Sequence, residues 1–330
     1  MPLSLSLSVF LGLIALSSGS ESSVEWCYTE ENCKPDTWVR FGYCNGQRQS
    51  PIDIDHTNVW RNNTLTEFNF TQYNQKNLMK DIVNRGHTVQ VNLAEGAEVS
   101  GGGLNGSYSA KQFHFHWGNG HSKPGSEHRV NAMQYPMEMH IVHFKKGLTT
   151  EEVLQDPEGI AALGFFIDVS VDSSHDSAWG KIVHFLDDIP TKDMNKSLSL
   201  DLSLDDLLSG VNRSRFYRYY GSLTTPNCNE VVVWTVFQEP ITISAYLIDQ
   251  FAQSVHSVDG HVRKVLDSFR PPQPINSRRV QASPGVTAEP WRTTRHVHLE
   301  AESCQKLAAG SLSLCASYLA VAVATLLSLL

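Results

Sequence analysis

The sequence predicts a mainly β (α+β) domain in which one sheet supplies most of the structure. Short runs rich in β-branched and aromatic residues recur along the chain, and turns that contain glycine or proline separate them. Segments with helical periodicity are few and short. Between residues 21 and 283 the composition is roughly uniform, and no internal repeat or linker divides it. We therefore expect one sheet-dominated domain with peripheral short helices.

Five runs are the predicted strands, in chain order HTVQVNL (87–93), KQFHFHW (111–117), MEMHIVHF (137–144), ALGFFIDVSV (162–171) and EVVVWTVFQEPITIS (230–244). Two helices are predicted over 177–189 and 244–255, with Ser244 as the N-cap of the second. The run at 111–117 alternates cleanly, which predicts that His114 and His116 point to the same face of a strand.

Both ends of the chain have the pattern of processing signals. Residues 3–16 form an apolar run followed by small residues, as in a secretory signal peptide that ends near Ser20. Residues 318–330 are apolar to the last position and follow small residues at 308–311, which favours a GPI attachment signal over a C-terminal membrane anchor. The predicted organisation is a signal peptide (1–20), a folded domain (21–283), a stalk and attachment region (284–310) and a hydrophobic propeptide (311–330).

Charge, cysteines and sequons narrow the class of function. The net charge is −8 without a basic cluster, which argues against a nucleic-acid partner. Apart from two cysteines in or near the predicted tail, four remain and allow three pairings; we prefer Cys27–Cys33 with Cys44–Cys228. No C-x-x-C pair is present, so a thiolate zinc site is not expected. Five sequons fit an extracellular glycoprotein: Asn62, Asn69, Asn105, Asn195 and Asn212.

The histidine-bearing strands suggest a metal site. Glu138 and His140 share one face of the run at 137–144. If that strand lies beside 111–117, His140 converges with His114 and His116, and three imidazoles leave one open position on a tetrahedral zinc ion, as in catalytic sites. The alternative is that these are core histidines bonded to backbone carbonyls.

Each metal-bound histidine needs a partner on its second nitrogen, which fixes the tautomer and the ring orientation. Gln112 lies two residues before His114, and Glu138 lies two residues before His140. Because a spacing of two keeps side chains on one face of a strand, both are candidate partners.

Eight short stretches carry a family resemblance: QSPIDI (49–54), GHTVQV (86–91), QFHFHWG (112–118), GSEHRV (125–130), MEMHIVHF (137–144), GSLTTPNC (221–228), VVWTVF (232–237) and FRPPQP (269–274). Together they cover about 26–283, and in this order they closely resemble the α-class carbonic anhydrases. The WCYTEENC start, the pair Cys44 and Cys228 and the C-terminal tail look most like the membrane-anchored carbonic anhydrase IV group. In that group, positions matching Cys27–Cys33 and Cys44–Cys228 form the disulfides.

The resemblance implies a large twisted, mostly antiparallel central sheet of about ten strands. It implies zinc held by His114, His116 and His140, with zinc hydroxide attacking carbon dioxide to give bicarbonate and a proton. Thr224 matches the threonine that accepts a hydrogen bond from that hydroxide, and Glu127 matches the buried glutamate that orients it. The region 21–283 would thus be the catalytic domain of a zinc lyase.

His87 matches the family's proton-shuttle position, and we expect neighbouring Arg85 to depress its pKa. The resemblance also implies a substrate pocket lined by Val142, Ala162, Leu223, Thr225 and Trp234; the family pattern usually has valine or isoleucine at the position of Ala162. Position 268, where Ser268 replaces a common asparagine, is expected to contribute a backbone carbonyl.

The expected location is the extracellular face of the plasma membrane, held by a lipid anchor. The expected partners are carbon dioxide and bicarbonate, the membrane, and bicarbonate transporters. A non-catalytic binding module and an ester hydrolase are the rival functions. All three zinc histidines, Thr224 and Glu127 are present, which argues against the binding module.

Overall fold

The computed structural model describes residues 26–172, 174–257 and 263–287. Its first unit ends at Gly285, and of the second unit only Val286 and Thr287 are described. The predicted signal peptide (1–20), the predicted propeptide (311–330) and the stalk beyond Thr287 lie outside the described residues. Among the residues described, no helix is long and apolar enough to cross a bilayer.

The described residues form fifteen strands: β1 Asp53–Ile54, β2 Trp60–Arg61, β3 Phe68–Thr71, β4 Met79–Asn84, β5 Val89–Leu93, β6 Glu98–Gly101, β7 Tyr108–Trp117, β8 Arg129–Val130, β9 Met137–Lys145, β10 Ile160–Val169, β11 Asn195–Ser197, β12 Phe216–Gly221, β13 Val232–Phe237, β14 Ile241–Ile243 and β15 Gln281–Ala282. The α-helices in the same ranges are α1 Thr150–Val153, α2 Asp176–Val183, α3 Leu204–Leu207 and α4 Ala245–Ser254, and 3₁₀ turns cover Pro35–Arg40, His56–Asn58 and Leu186–Asp188.

Thirteen of these strands form one sheet, in the order β11-β4-β5-β7-β9-β10-β13-β12-β15-β2. β6 joins the sheet through β7, β3 pairs with β6, and β14 pairs with β10. Most neighbours are antiparallel, whereas β10 runs parallel to β13 and β14, and β15 parallel to β2. The predicted mainly β domain with a large, mostly antiparallel sheet and short helices is confirmed.

The predicted elements differ from the structure mainly at their ends. The run 230–244 splits into β13 and β14, and Pro240, which has no N–H to donate to a ladder, lies in the break. The helix predicted over 177–189 ends at Val183 and is followed by the 3₁₀ turn Leu186–Asp188. Ser244 is the N-cap residue of α4, but its side chain makes no capping bond; its N–H donates to Asp176 Oδ1 at 2.9 Å.

Helix packing on one face of β7 decides where the histidines point. Phe113, Phe115 and Trp117 are buried in the main core, and the Phe115 ring lies 4.9 Å from Phe251 of α4 and 5.8 Å from Trp179 of α2. Burying an aromatic side chain of this kind contributes about 1.5–3 kcal/mol. Since side chains alternate along a strand, Gln112, His114 and His116 lie on the opposite face of this part of β7.

Candidate metal centre and its surroundings

The pairing of β7 with β9 brings the predicted histidines together. His114 lies opposite His140, and His116 lies opposite Glu138. Directly opposed residues of an antiparallel pair project to the same face of the sheet. One nitrogen from each of the three imidazoles lies within 4.8 Å of the others, and the ring centroids are 4.7–5.2 Å apart.

Every ring of this cluster has one nitrogen against a hydrogen-bond acceptor: His114 Nδ1 and Gln112 Oε1 at 2.9 Å, His116 Nδ1 and the Ser268 carbonyl at 2.6 Å, and His140 Nε2 and Glu138 Oε1 at 2.7 Å. A nitrogen that faces an acceptor carries the proton, so the other nitrogen of each neutral ring has a free lone pair. His116 Nε2 is buried and has no hydrogen-bond partner in the described part of the chain. Three nitrogen lone pairs therefore remain for a cation.

Burial keeps these imidazoles neutral. It lowers the pKa of His116 to about 4 and holds the pKa of His114 well below its usual value, and the other histidines of the cluster add to the effect on His114. The pKa of His140 is also lowered, again chiefly by burial. Neutral imidazole is the form that binds metal ions, so the cluster is ready to do so at neutral pH.

Glu138 is the hub of a buried hydrogen-bond network that supports His140. Its Oε1 also contacts His128 Nδ1 at 2.6 Å, and its Oε2 accepts from the N–H groups of Glu127 and His128 at 2.9 and 2.8 Å. Burial alone raises the pKa of Glu138, but His128 and His140 outweigh it and hold that pKa well below its ordinary value. A Cβ at Gly164 would lie 3.2 Å from Glu138 Oε1, so a glycine gives this carboxylate its room.

Sequence reasoning missed His128, although it lies in the matched stretch GSEHRV. Its Nε2 contacts the Tyr219 hydroxyl at 2.7 Å, and Tyr219 in turn donates to Ser50 Oγ at 2.9 Å. The network therefore extends from the three clustered histidines to Ser50 in the N-terminal part of the chain. The adjacency of two polar residues in GSEHRV was the available signal, but the Glu138 contact depends on a loop that folds back on β9.

Glu127 and Thr224 lie at the same centre. Glu127 is fully buried; its Oε1 accepts from the Arg270 N–H at 2.8 Å, and its Oε2 lies 3.5 Å from His116 Nε2 and 4.0 Å from His140 Nδ1. Burial raises the pKa of Glu127 to about 7, whereas His140, the Arg270 N–H and the Thr224 side chain each oppose that rise. Among the described residues Oε2 makes no well-formed hydrogen bond, so it faces the cluster with a free lone pair.

Three of the predicted pocket residues form a row across neighbouring strands. Ala162 of β10 is in register with Val142 of β9 and with Trp234 of β13, and all three are buried. The Trp234 ring lies 4.7 Å from that of His140, and its Nε1 donates to the Ser222 carbonyl at 3.0 Å. The row forms an apolar wall beside the histidines, with the small side chain of Ala162 in its middle.

The loop 221–228 carries Thr224 together with the half-buried Leu223 and Thr225. The Leu223 N–H donates to the Asn229 carbonyl at 3.0 Å, and the Cys228 N–H donates to the Thr225 carbonyl at 2.8 Å. The disulfide Cys44–Cys228 ties the end of this loop to the N-terminal segment, and the second disulfide joins Cys27 and Cys33. The loop is therefore held both by a disulfide and by backbone hydrogen bonds.

His87 lies outside the cluster and is half-buried. Its ring packs on Trp26, with the centroids 4.5 Å apart. Burial lowers the pKa of His87 to about 4, with smaller contributions from the charges of His116, Lys192 and Arg85. The depression expected from Arg85 is present, but burial is the main cause.

The sequon asparagines differ in accessibility. Asn69, Asn105, Asn195 and Asn212 are exposed. Asn62 is half-buried, and its Nδ2, the atom that carries an N-glycan, donates to Gln281 Oε1 at 2.7 Å.

The family model of the eukaryotic-type carbonic anhydrases matches residues 33–284. The chain is 33% identical to carbonic anhydrase 4 of Rattus norvegicus over 286 residues, and this alignment covers 83% of the chain and 90% of the rat protein. It is 36% identical over 281 residues to carbonic anhydrase 4 of Oryctolagus cuniculus (83% and 89% covered), and 34% identical over 275 residues to carbonic anhydrase 6 of Bos taurus (82% and 84%).

Proposed function

Since the chain belongs to the eukaryotic-type carbonic anhydrases, we propose that it binds one zinc ion through His114, His116 and His140 and works at the extracellular surface. The family identifies the chain as a carbonic anhydrase, an enzyme of the lyase class, and supports reversible hydration of carbon dioxide to bicarbonate and a proton. Among its relatives it is similar to carbonic anhydrase 4. The observation that carries the proposal is the set of three converging imidazoles, two of them buried and His114 partly buried, in which one nitrogen of each ring already has a hydrogen-bond partner.

The donor set fits zinc. Three neutral imidazole nitrogens that leave a fourth position open are one of the ligand sets of catalytic zinc. The buried Nε2 of His116 has no hydrogen-bond partner among the described residues, and burying such a nitrogen costs free energy unless a cation occupies the centre. Bound zinc lowers the pKa of water to about 7 and so supplies a nucleophile at neutral pH, an effect for which carbonic anhydrase itself is the standard example.

Thr224 and Glu127 would orient the group that reacts. When the Thr224 hydroxyl donates its proton to ionised Glu127, its oxygen can only accept a hydrogen bond from the centre. A reacting group there must then direct its own proton toward Thr224 and turn a lone pair toward the substrate. Arg270 N–H and Thr224 favour the ionised form of Glu127, against the burial that raises its pKa.

The apolar wall would select the substrate. Carbon dioxide is small and has no net charge or dipole, so Val142, Ala162 and Trp234, with Leu223 and Thr225 at the loop, can hold it without a charged anchor. Because an apolar wall excludes water, electrostatic interactions inside the site are less screened and therefore stronger. The proton released by the reaction would leave by way of His87.

Parallel assays on the zinc-loaded protein separate this function from its rivals. We expect rapid hydration of carbon dioxide in stopped-flow measurements, much slower hydrolysis of p-nitrophenyl acetate, and loss of both after zinc is removed by a chelator. Ester hydrolysis without carbon dioxide hydration would favour a hydrolase. Absence of both activities in protein that contains zinc would favour a binding module.

The proposed location is the outer face of the plasma membrane, reached by secretion and kept by a GPI anchor, with bicarbonate transporters as neighbours. Its support is the apolar run at each end of the sequence, the two disulfides and the exposed sequons. Release from intact cells by phosphatidylinositol-specific phospholipase C is the expected result. Retention after that treatment would point to a C-terminal membrane anchor.

A further inference from the structure

A cleft of about 730 Å³ opens beside His87, and its charge is opposite to that of the whole chain. The net charge of the protein is −8. Among the described residues, the charged ones that line this cleft, other than His87, are Arg40, Arg85, Lys192, Arg263, Lys264 and Glu30. In the described part of the lining there are thus five cations and one carboxylate, and that carboxylate, Glu30, forms an ion pair with Arg263.

The fold places two of these cations next to His87. Arg85 lies two residues before it. Lys192 crosses Gly86, the residue immediately before His87: Gly86 has φ +78°, and a Cβ at this position would lie 2.8 Å from Lys192 Cδ. Only glycine combines that backbone conformation with such a close approach, so Gly86 keeps the lysine stem against the segment that carries His87.

This arrangement is unfavourable for a positively charged imidazole and favourable for an anion. Burial is the main reason that the pKa of His87 falls to about 4, and Lys192 and Arg85 lower it further. At neutral pH His87 can therefore hold a proton only briefly, and a stronger base must take the proton from it. The same cations would attract a base that carries negative charge.

We propose that this cleft binds an oxyanion base of the hydrogen phosphate class, which accepts from His87 the proton released by carbon dioxide hydration. The proposal rests on the proposed function. The transfer balances as HPO₄²⁻ plus H⁺ giving H₂PO₄⁻. Because the anion loses one unit of negative charge, it binds the cationic cleft more weakly after the transfer and can be exchanged for a new dianion.

The test compares the full-length, zinc-loaded protein with the variant Arg85→Gln/Lys264→Gln. The kcat for carbon dioxide hydration is measured against inorganic phosphate concentration at constant ionic strength, and against imidazole as a base that is not anionic. For the unmodified protein we expect kcat to saturate with phosphate. In the variant the half-saturating phosphate concentration should rise roughly fivefold or more, since two attractive charges are lost, whereas the response to imidazole should not weaken.

The matched control is Lys80→Gln/Arg279→Gln, which removes the same charge from exposed positions outside the lining of the cleft. It should leave the half-saturating phosphate concentration unchanged. An equal rise in both variants, or no rise in either, would overturn the proposal.

A binding measurement keeps this test separate from the proposed function. Phosphate binding to the same proteins, followed by ³¹P NMR, should weaken in the cleft variant and not in the control. If no protein hydrated carbon dioxide in any buffer, the proposed function would be wrong, while the binding data would still decide whether the cleft takes phosphate. Binding that is equal in all three proteins would reject the anion site.

Discussion

The three clustered histidines and His87 show two ways in which one fold uses imidazole. His114, His116 and His140 lie on paired strands, are buried or nearly so, and each has one nitrogen bonded to a fixed acceptor. His87 lies just before β5, packs on Trp26 and faces a cationic cleft. The pKa of each is lowered chiefly by burial.

The same depressed pKa has opposite consequences in the two places. A metal ligand must be neutral, so a low pKa prepares the cluster for its proposed role. A proton carrier works best when its pKa lies near the ambient pH, so a low pKa means that His87 is protonated only to a small extent at neutral pH. Environment, rather than residue type, therefore separates the two proposed roles.

The largest expected effect is the loss of a clustered histidine. His116→Ala should abolish stoichiometric zinc and lower kcat/KM by at least about a thousandfold, because several kcal/mol of transition-state stabilisation are lost and each 1.4 kcal/mol is a factor of ten. Metal analysis and stopped-flow assays measure both quantities.

The control for that substitution is His143, a buried histidine of β9 that contacts the Tyr73 hydroxyl at 2.6 Å and the Ala161 carbonyl at 3.1 Å instead of the cluster. His143→Gln should cost about 1–3 kcal/mol of unfolding free energy and keep the zinc. Loss of zinc from this variant alone would reverse the comparison.

Removal of the Thr224 hydroxyl is expected to have the next largest effect. Thr224→Val should lower kcat/KM by roughly 10²–10³, the usual effect of deleting one fixed hydrogen-bond partner of a reacting group. Zinc content should not change, because Thr224 is not among the clustered nitrogen donors. Thr224→Ser keeps the hydroxyl and should recover most of the activity; equal loss in both variants would show that loop packing, and not the hydrogen bond, is responsible.

Substitution of Gln112 tests how much the hydrogen-bond partner of a proposed zinc ligand contributes to zinc affinity. Gln112→Ala removes the acceptor of His114 Nδ1, so zinc affinity should fall about 10–100-fold. Gln112→Glu retains an acceptor oxygen and should keep the affinity closer to that of the unmodified protein. Competition with a chromogenic chelator measures the difference, and unchanged affinity in both variants would mean that the ring is held by the sheet alone.

The smallest effects are expected at His87. His87→Ala should lower kcat less than about tenfold in concentrated buffer, because other bases can accept the proton. In the unmodified protein, NMR titration should place the His87 pKa near 4. Trp26→Ala exposes the ring and should raise that pKa toward the ordinary value, and by more than Arg85→Gln does, because burial is the larger cause. A greater rise in Arg85→Gln would show that charge dominates instead.

Spacing within strands predicted the parts of the site that a strand itself determines. The His-x-His of β7 and the Glu-x-His of β9 fix which side chains share a face, and the pairing of these strands confirms that they meet. The Gln112 and Glu138 contacts follow from the same alternation.

Other contacts depend on loops that return from distant parts of the chain. The Ser268 carbonyl reaches His116 across 152 positions, and its place was expected only from the family resemblance. His128 joins Glu138 through the loop before β9, and the packing of Trp26 on His87 joins two loops. No periodicity in the sequence records such contacts, because they depend on tertiary packing.

The most direct test of the central claim is the metal content of the purified protein combined with X-ray absorption at the zinc edge. We predict one zinc ion per chain with three imidazole nitrogens and one oxygen at about 2.0–2.1 Å. Purified protein that lacks stoichiometric metal, or a spectrum that shows sulfur ligands or fewer than three imidazoles, would contradict the account.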